Sequence, residues 1–338
     1  MKGSKVSIVD VARNAGVSPA TVSRVLSNNE CVKKESVEAV LKSIKELNYR
    51  PNVVARQLRT QKTNAIYVIV PDITNTFFGP IIRGIEQEAQ KSGYYIYIVD
   101  AHQSEKAEKG FISALGQRQI DGIISLSGTT AIQTVEKLSD GFPIVMASQY
   151  YEGSRLPNIG IDNAKAMEDI CNYIISLGHR EIGFISPNPY ISLYQDRHNG
   201  YVKALTEHDL EVDVNKEVYT AYNSIQEGYD AAKKLIASAR VTAICAAGDS
   251  LALGAIKAIQ DMGLSVPGDY SVTGFDDISF ASYATPTLTT VHQPMHEMGS
   301  GAMRILKSIL NGEKTDNSRI VLEHSVIIRE STAEYVRP

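Results

Sequence analysis

From Asn64 onward the chain alternates short runs of consecutive apolar residues with longer stretches of helical period, and few folds accept that alternation. The runs are AIYVIV (65–70), YYIYIV (94–99), DGIISL (121–126) and PIVMAS (143–148), followed by EIGFIS (181–186), TAICAA (242–247) and YSVTGF (270–275). Helical stretches fall between them at Phe78–Lys91, Ala164–Leu177, Arg197–Glu207, Gly228–Ala237 and Ser250–Met262. A strand covered on both faces reads as a continuous apolar run, so this pattern predicts parallel sheets with helices on either side. Two such series predict an α/β body of two doubly wound lobes. Ligands in such folds bind beyond the carboxyl ends of the strands, and two lobes facing each other would enclose a cleft there.

The first fifty residues carry almost no strand signal. Ser7 with Asp10 three residues later is a capping-box-like helix start, with Asp in place of the usual Glu. Val9, Ala12 and Ala15 follow at helical spacing, and Gly16 ends the helix. Ser18 is placed to cap a second helix and Pro19 fits its first position. Val22, Val25 and Leu26 are expected to face inward, leaving Pro19, Ala20, Ser23 and Arg24 outward. A third amphipathic helix is predicted over Lys34–Leu47, with Val37, Val40, Leu41, Ile44 and Leu47 as its buried stripe. Helix, glycine turn, helix is the geometry that lays a second helix in the DNA major groove. On spacing alone, a small helical bundle with a basic surface stays open as an alternative.

Charge distribution bears on that choice. The whole chain has a formal net charge of -4, which taken alone argues against nucleic acid. Residues 1–62, however, hold 12 Lys/Arg against 5 Asp/Glu, a net +7. The remainder holds 22 basic and 33 acidic residues, a net -11. A basic head on an acidic body fits a head that meets phosphates and a body that does not. The 338 residues suit two or three domains. Cys31, Cys171 and Cys245 are far apart and form no CxxC pair, so they read as reduced thiols and not as a zinc site or disulfide frame. No metal or other cofactor is expected. Met1–Lys5 leads into no signal-like apolar stretch, and no run reaches the roughly 18 residues of a membrane span, so a cytoplasmic protein is expected.

The segment Ile8–Leu26, IVDVARNAGVSPATVSRVL, resembles the head of the lactose-repressor/galactose-repressor (LacI/GalR) family of transcriptional regulators. That resemblance implies an all-α helix-turn-helix head (1–50), a hinge helix and linker (51–62) and a periplasmic-binding-protein-like body (63–338). Pro19, Ala20 and Arg24 would take the base-reading positions. Arg24 could offer a bidentate fork to a guanine edge, and Ala20 an apolar contact. Ser18, Thr21 and Ser23 would meet phosphates, which set register. Two positions depart from the family pattern: Ser27 stands where Asn is usual, and Lys33 where Ser or Asn usually caps the third helix.

The stretch after Pro51 supports only about seven residues of helix, too short to be stable alone in water. The resemblance implies that it folds in the minor groove beside its twin from a second subunit. Leu58 would be the apolar wedge, Ala55 would pack close, and Asn52 and Arg56 would lie near the backbone. The partners implied are a palindromic operator duplex, a second copy of the chain and a small effector, with no membrane. Nothing after the body reads as a tetramerisation heptad segment.

The resemblance continues through PDITNTFF (71–78), Asp162-Asn163, LGHR (177–180), DRHNGY (196–201), GDSLALGA (248–255) and GFDD (274–277). It divides the body into a first lobe of about 63–162 with 293–323 and a second of about 163–290 with 324–338. Its implied effector-binding residues are Phe77, Phe78, Tyr194, Arg197, Tyr222, Asp249 and Asp276. Arginine donates in a fixed fork, the acids accept from hydroxyls, and the aromatic faces stack on a sugar or base. Asp249 has an alternative role as a cap of the helix that follows it. Many relatives carry an acid after the fourth strand of the first lobe, where this chain reads Met146–Tyr151 without one. That segment and Pro189–Tyr201 are similar to the cytidine-repressor branch, which makes a nucleoside the leading effector and a pentose or hexose the next.

Two other functions use a body of this kind. A solute-binding protein is disfavoured by the basic head and by the absence of a signal-like segment. An enzyme is disfavoured because no nucleophile–base pair, metal cluster or phosphate-cradling loop stands out. His102, His179, His198 and His292 are scattered and read as structural or surface residues.

Overall fold

The computed structural model describes residues 6–26, 32–50, 62–101, 104, 106, 119–128, 135–136, 142–187, 191–313 and 319–336. The chain divides into two compact units after Thr63. The hinge residues Asn52, Ala55, Arg56 and Leu58, together with Ser27 and Cys31, lie outside the described residues.

The first unit is helical: α1 (Ile8–Asn14), α2 (Pro19–Leu26) and α3 (Lys34–Glu46). Ser7 and Asp10 form the reciprocal capping box at α1. Gly16 turns the chain at φ +65°, a conformation that glycine adopts without penalty. Ser18 Oγ then accepts from Thr21 N at 3.1 Å, capping α2. α3 begins at Lys33 with no side-chain cap. Val11, Ala12, Val22, Val25 and Val40 make the core.

One inward assignment changes, on α3; on α1 the buried valine is Val11. On α3, Leu41 is 54% exposed, while Ser43 is buried. Ser43 Oγ donates to Val11 O (3.1 Å) and accepts from Asn14 Nδ2 (3.1 Å), so a polar side chain holds α3 against the end of α1. A hydrophobicity pattern cannot register a buried hydroxyl whose partners come from another helix.

The body contains two sheets and a small ribbon. In the first lobe β1 (Ala65–Val70), β2 (Tyr95–Asp100), β3 (Gly122–Ser125), β4 (Ile144–Ala147), β5 (Asn158–Ile161) and β11 (Arg319–Leu322) form a parallel sheet in the order β11-β5-β4-β3-β1-β2. Its core joins inward residues of β1, β3 and β4 to α4 (Phe78–Lys91) and α9 (Met295–Leu310). α4 and α9 cross at Gly84 and Gly299. A Cβ on Gly84 would collide with His296 O, and one on Gly299 with Ile81 O.

In the second lobe β6 (Ile182–Pro187), β7 (Glu217–Thr220), β8 (Ala243–Ala246) and β9 (Ser271–Thr273) form a parallel sheet in the order β7-β6-β8-β9. Phe184 of β6 faces the core built on α5 (Asn163–Ser176) and α6 (Ser192–Glu207). Its neighbour Ile185 faces the opposite core, built on α7 (Ile225–Ser238) and α8 (Asp249–Asp261). This alternation shows why the strand reads as a continuous apolar run. Sulfur atoms of Cys171 and Cys245 lie 3.7 Å apart in the first of these cores, as free thiols.

Among the described residues the chain passes between lobes after β5 into α5, after β10 (Thr290–His292) into α9, and after β11 into β12 (Ser325–Ile327). β10 and β12 pair antiparallel. β5, β7, β11, the short ribbon and α9 are elements that the apolar-run pattern did not name. They are three or four residues long, apart from the amphipathic α9.

His179 stitches the second lobe together. It is buried, with Nδ1 2.9 Å from Thr242 Oγ1 and Nε2 3.0 Å from Ser271 Oγ. Burial favours its neutral form and lowers its pKa. The unfolded state therefore binds the proton more readily. The stability that His179 contributes is full above about pH 6.5 and is lost as pH falls through its lower folded value. His179→Gln should flatten the acid side of a melting-temperature profile between pH 7 and 5. In the head, Ser43→Ala should weaken local amide protection by about 1–2 kcal/mol. Leu41→Ala should stay within roughly 0.5 kcal/mol, because Leu41 is an exposed side chain. Hydrogen exchange on the full chain reads both.

Candidate functional site

On the head, α2 shows Pro19, Ala20 and Arg24 to solvent, with Ser18 exposed at its start. Thr21 and Ser23 are half-buried. The Thr21 hydroxyl lies 2.9 Å from Ser18 Oγ. The three positions expected to read bases thus share an exposed surface, and Val22 and Val25 anchor the opposite side of the helix in the core. Arg24 brings a permanent positive charge with several donors on a flexible stem, the chemistry that meets phosphate and guanine edges.

In the body a cleft opens between the lobes. About 740 Å³ of empty space, open solvent included, lies among residues that follow the carboxyl ends of the strands. The first lobe contributes Asp72, Asn75, Phe77 and Phe78 after β1, Ser127 after β3, and Ser148 and Gln149 after β4. The second contributes Tyr194 and Arg197 from α6, Tyr222 and Asn223 after β7, and Asp276 after β9.

The first-lobe wall is organised by short side-chain turns. Asp72 Oδ1 accepts from Thr74 N (2.8 Å) and from Thr74 Oγ1 (2.6 Å). Asn75 Oδ1 accepts from Phe77 N at 3.0 Å. These bonds set the entry to α4 and hold Phe77 and Phe78 edge to face, with ring centroids 5.2 Å apart. Both rings line the cleft but are largely buried. Tyr222 is the exposed ring.

Arg197 is only 4% exposed and is already engaged. Its Nε donates to Asn163 Oδ1 (2.9 Å) and its Nη1 to Ala247 O (2.6 Å), while Nη2 lies 3.3 Å from Asp276 Oδ1. The guanidinium carbon sits 3.6 Å from the centre of the Phe275 ring. Three of its five donors are used inside the protein, and at most two remain for a ligand. Gln293 Nε2 also donates to Asp276 Oδ1, at 2.7 Å. Burial raises the Asp276 pKa to about 6 against the opposing pull of Arg197 and Gln293. Asp276 holds φ 116°, outside the comfortable range of a residue with a Cβ.

Asp249 does not take the expected effector-binding place. It is fully buried and does not line the cleft. Its Oδ1 accepts from Thr290 Oγ1 (2.5 Å) and its Oδ2 from Ile278 N (2.8 Å). It caps no helix either, since Gly248 is the cap residue of α8. Asp249 pins the turn that carries Asp276. Burial and the neighbouring Asp276 push its pKa well above the carboxylate range.

The sequence reading did not select Asp72, Asn75, Gln149 or Asn223. Gln149 stands where the expected acid is missing, and a Cβ on Gly128 would press on its Oε1. Asn223 lies against Tyr194, whose phenol burial drives up to about 12. Among the described residues no donor reaches the buried Asn223 Oδ1. Neutral amides after strand ends carry no motif, so only the assembled cleft reveals them.

Comparison with known proteins places this geometry. The family model "Bacterial regulatory proteins, lacI family" matches residues 7–52, and that of a periplasmic binding protein-like domain matches residues 171–332. Catabolite control protein A of Priestia megaterium is 38% identical over 97% of this chain and 99% of its own length. The HTH-type transcriptional repressor CytR of Escherichia coli K12 is 36% identical over 96% of this chain and 95% of its own. These near-equal values favour neither branch. Among solved structures, the lac repressor dimer bound to operator and the anti-inducer ONPF superposes with a TM-score of 0.86 at 26% identity, covering 97% of this chain and 99% of that one. The transcriptional regulator CelR–cellobiose complex superposes with a TM-score of 0.74 at 28% identity, covering 96% and 99%. With full-length relatives at this identity, the chain belongs to the lacI family of bacterial regulatory proteins.

Proposed function

We propose that this protein is a DNA-binding transcriptional repressor, a homodimer whose hold on a palindromic operator is set by a small molecule in the interlobe cleft. The observation that carries the reading is the helix-turn-helix head, a net +7 segment that turns Pro19, Ala20 and Arg24 outward from a packed core. Its relatives support it, since CytR is a transcriptional repressor and the lac repressor structure is a dimer on operator. Ser18, Thr21 and Ser23 are assigned to phosphates. Asn52, Ala55, Arg56 and Leu58 are assigned to a hinge that orders only when two copies meet over the minor groove. The body division at about 162/163, 290/293 and 323/324 belongs to the same reading. So does a cytoplasmic setting, where the operator lies; among the described residues no helix is long and apolar enough to cross a membrane. The cleft is given a binding role and no turnover.

For the effector we infer an uncharged nucleoside or sugar. Among the described residues Arg197 is the only basic residue lining the cleft, and Asp276 already balances it. Asp72 adds a carboxylate, and Asn223 adds a buried acceptor without a donor. A phosphate dianion would meet acids without a free cation, whereas hydroxyls would meet acceptors. The cellobiose held by CelR is a ligand of that class. Phe77, Phe78, Tyr194 and Tyr222 supply the apolar walls, and Arg197 and Asp276 the polar pair.

Operator affinity should fall steeply as salt rises, because the head displaces counterions from phosphates. Arg24→Ala should cost about 1–3 kcal/mol on the preferred inverted repeat and relax discrimination at one base pair of each half-site. Mobility shifts against single-base operator variants read this, and an equal loss on all sequences would remove Arg24 from base reading. For the cleft, thermal-shift titrations should favour cytidine over cytidine 5′-monophosphate and ribose over ribose 5-phosphate. Affinity for the neutral member should drop as pH falls through about 6, where Asp276 gains its proton. Tighter binding of the phosphorylated partners would reject the uncharged class.

A further inference from the structure

One bond joins the lobes beside the cleft without lining it. Tyr150, in the segment after β4 of the first lobe, donates its hydroxyl to Asp196 Oδ2 of α6 in the second lobe, at 2.8 Å. The bond is partly buried. Each partner is the chain neighbour of a cleft residue: Gln149 precedes Tyr150, and Arg197 follows Asp196. Arg319, at the start of β11, lays its guanidinium carbon 4.0 Å from the centre of the Tyr150 ring. The same guanidinium donates through Nη2 to Ile161 O at 3.1 Å, at the last residue before the chain crosses into the second lobe.

The chemistry fixes the direction of the bond. The phenol is held up at about 12 by burial and by Asp196, so it keeps its proton and donates. Asp196 is itself raised by burial, with Tyr150 and Arg319 favouring its ionised form and Asp162 and Glu152 opposing it. A phenol donating to a carboxylate is among the stronger neutral-to-charged hydrogen bonds, and partial burial limits the competition from water. A cation stacked on the ring holds the phenol in place from the first-lobe side.

We propose that Tyr150 is a positioning residue for the effector cleft: its bond to Asp196 is a latch that keeps the lobes at the separation a ligand needs. The proposal rests on the cleft being the effector site. A ligand touching Gln149 and Arg197 acts on the same two peptide segments that the latch joins. With the latch made, the binding-competent form is the resting form. With it broken, that form is a fraction of the population, and apparent affinity falls by that fraction.

The experiment measures interlobe distance with no ligand present. Spin labels are placed at Glu86→Cys on α4 and Lys234→Cys on α7, in a Cys31→Ser chain mixed with excess unlabelled protein so that each assembly carries one labelled copy. Both label positions are exposed, and the native Cys171 and Cys245 are buried. The parent should give one narrow distance distribution. Tyr150→Phe, which keeps the ring under Arg319, and Asp196→Ala should each add a second distance holding about a tenth or more of the population. The double variant should go no further than either single change, because both remove one bond. Asp196→Asn keeps an acceptor oxygen and should stay close to the parent, which a general loosening of α6 would not predict. A parent-like distribution in either Tyr150→Phe or Asp196→Ala, or additive effects in the double variant, overturns the latch. If the variants open the lobes while neither cytidine nor ribose binds the parent, the latch stands and the assignment of the effector class falls.

Discussion

A carboxylate buried at positive φ organises the body. Asp276 follows β9 and accepts from Arg197 on α6 and from Gln293 on the crossing that leads to α9. Its own N–H donates to Val291 O at 2.9 Å. One side chain thus ties a sheet end, a helix and an interlobe connection. Removing a single partner of such a buried pair costs about 3–5 kcal/mol, because the other charge stays behind without compensation. A strained backbone adds roughly 1–3 kcal/mol that the surroundings must hold down. Asp249 supplies that hold through Ile278 N and Thr290, and Arg329 adds another by donating to Asp277 Oδ1 at 2.7 Å. The cleft inherits a polar pair whose orientation the fold has already set.

The pair also limits the chemistry that the cleft presents. An arginine free to fork around a phosphate would be a strong anion site, but this one spends three nitrogens on Asn163, Ala247 and Asp276. What remains on the walls is neutral amide, hydroxyl and ring, with the Asp72 carboxylate. The charge asymmetry of the chain repeats the theme at larger scale, with the excess of cations confined to the head.

Most of the architecture could be read from residues because continuous apolar runs and amphipathic stretches are physical consequences of burial on two faces or on one. The run at 181–186 becomes β6 because Phe184 and Ile185 enter opposite cores. Arg197, Asp276 and the aromatic residues could be read from resemblance together with their chemistry. What escaped has a common cause. Ser43, Asp249 and Tyr150 act through partners 32, 41 and 46 positions away in sequence. A residue type announces that it can donate or accept, but not where the fold will bring its partner. The short strand β11 escaped for a similar reason, since its place is set by pairing with β5 across a long separation.

That late strand changes how the protein must come into being. The head holds its core between Ile8 and Tyr49, so everything it needs leaves the ribosome early. The first-lobe sheet waits for Arg319–Leu322 to fill its edge, and the second lobe waits for Ser331, whose hydroxyl donates to Val272 O and whose carbonyl accepts from Val272 N. Neither lobe has all of its parts until nearly the whole chain has been synthesised. A nascent polypeptide stalled before that point would carry a finished head on a body whose cleft is not yet built.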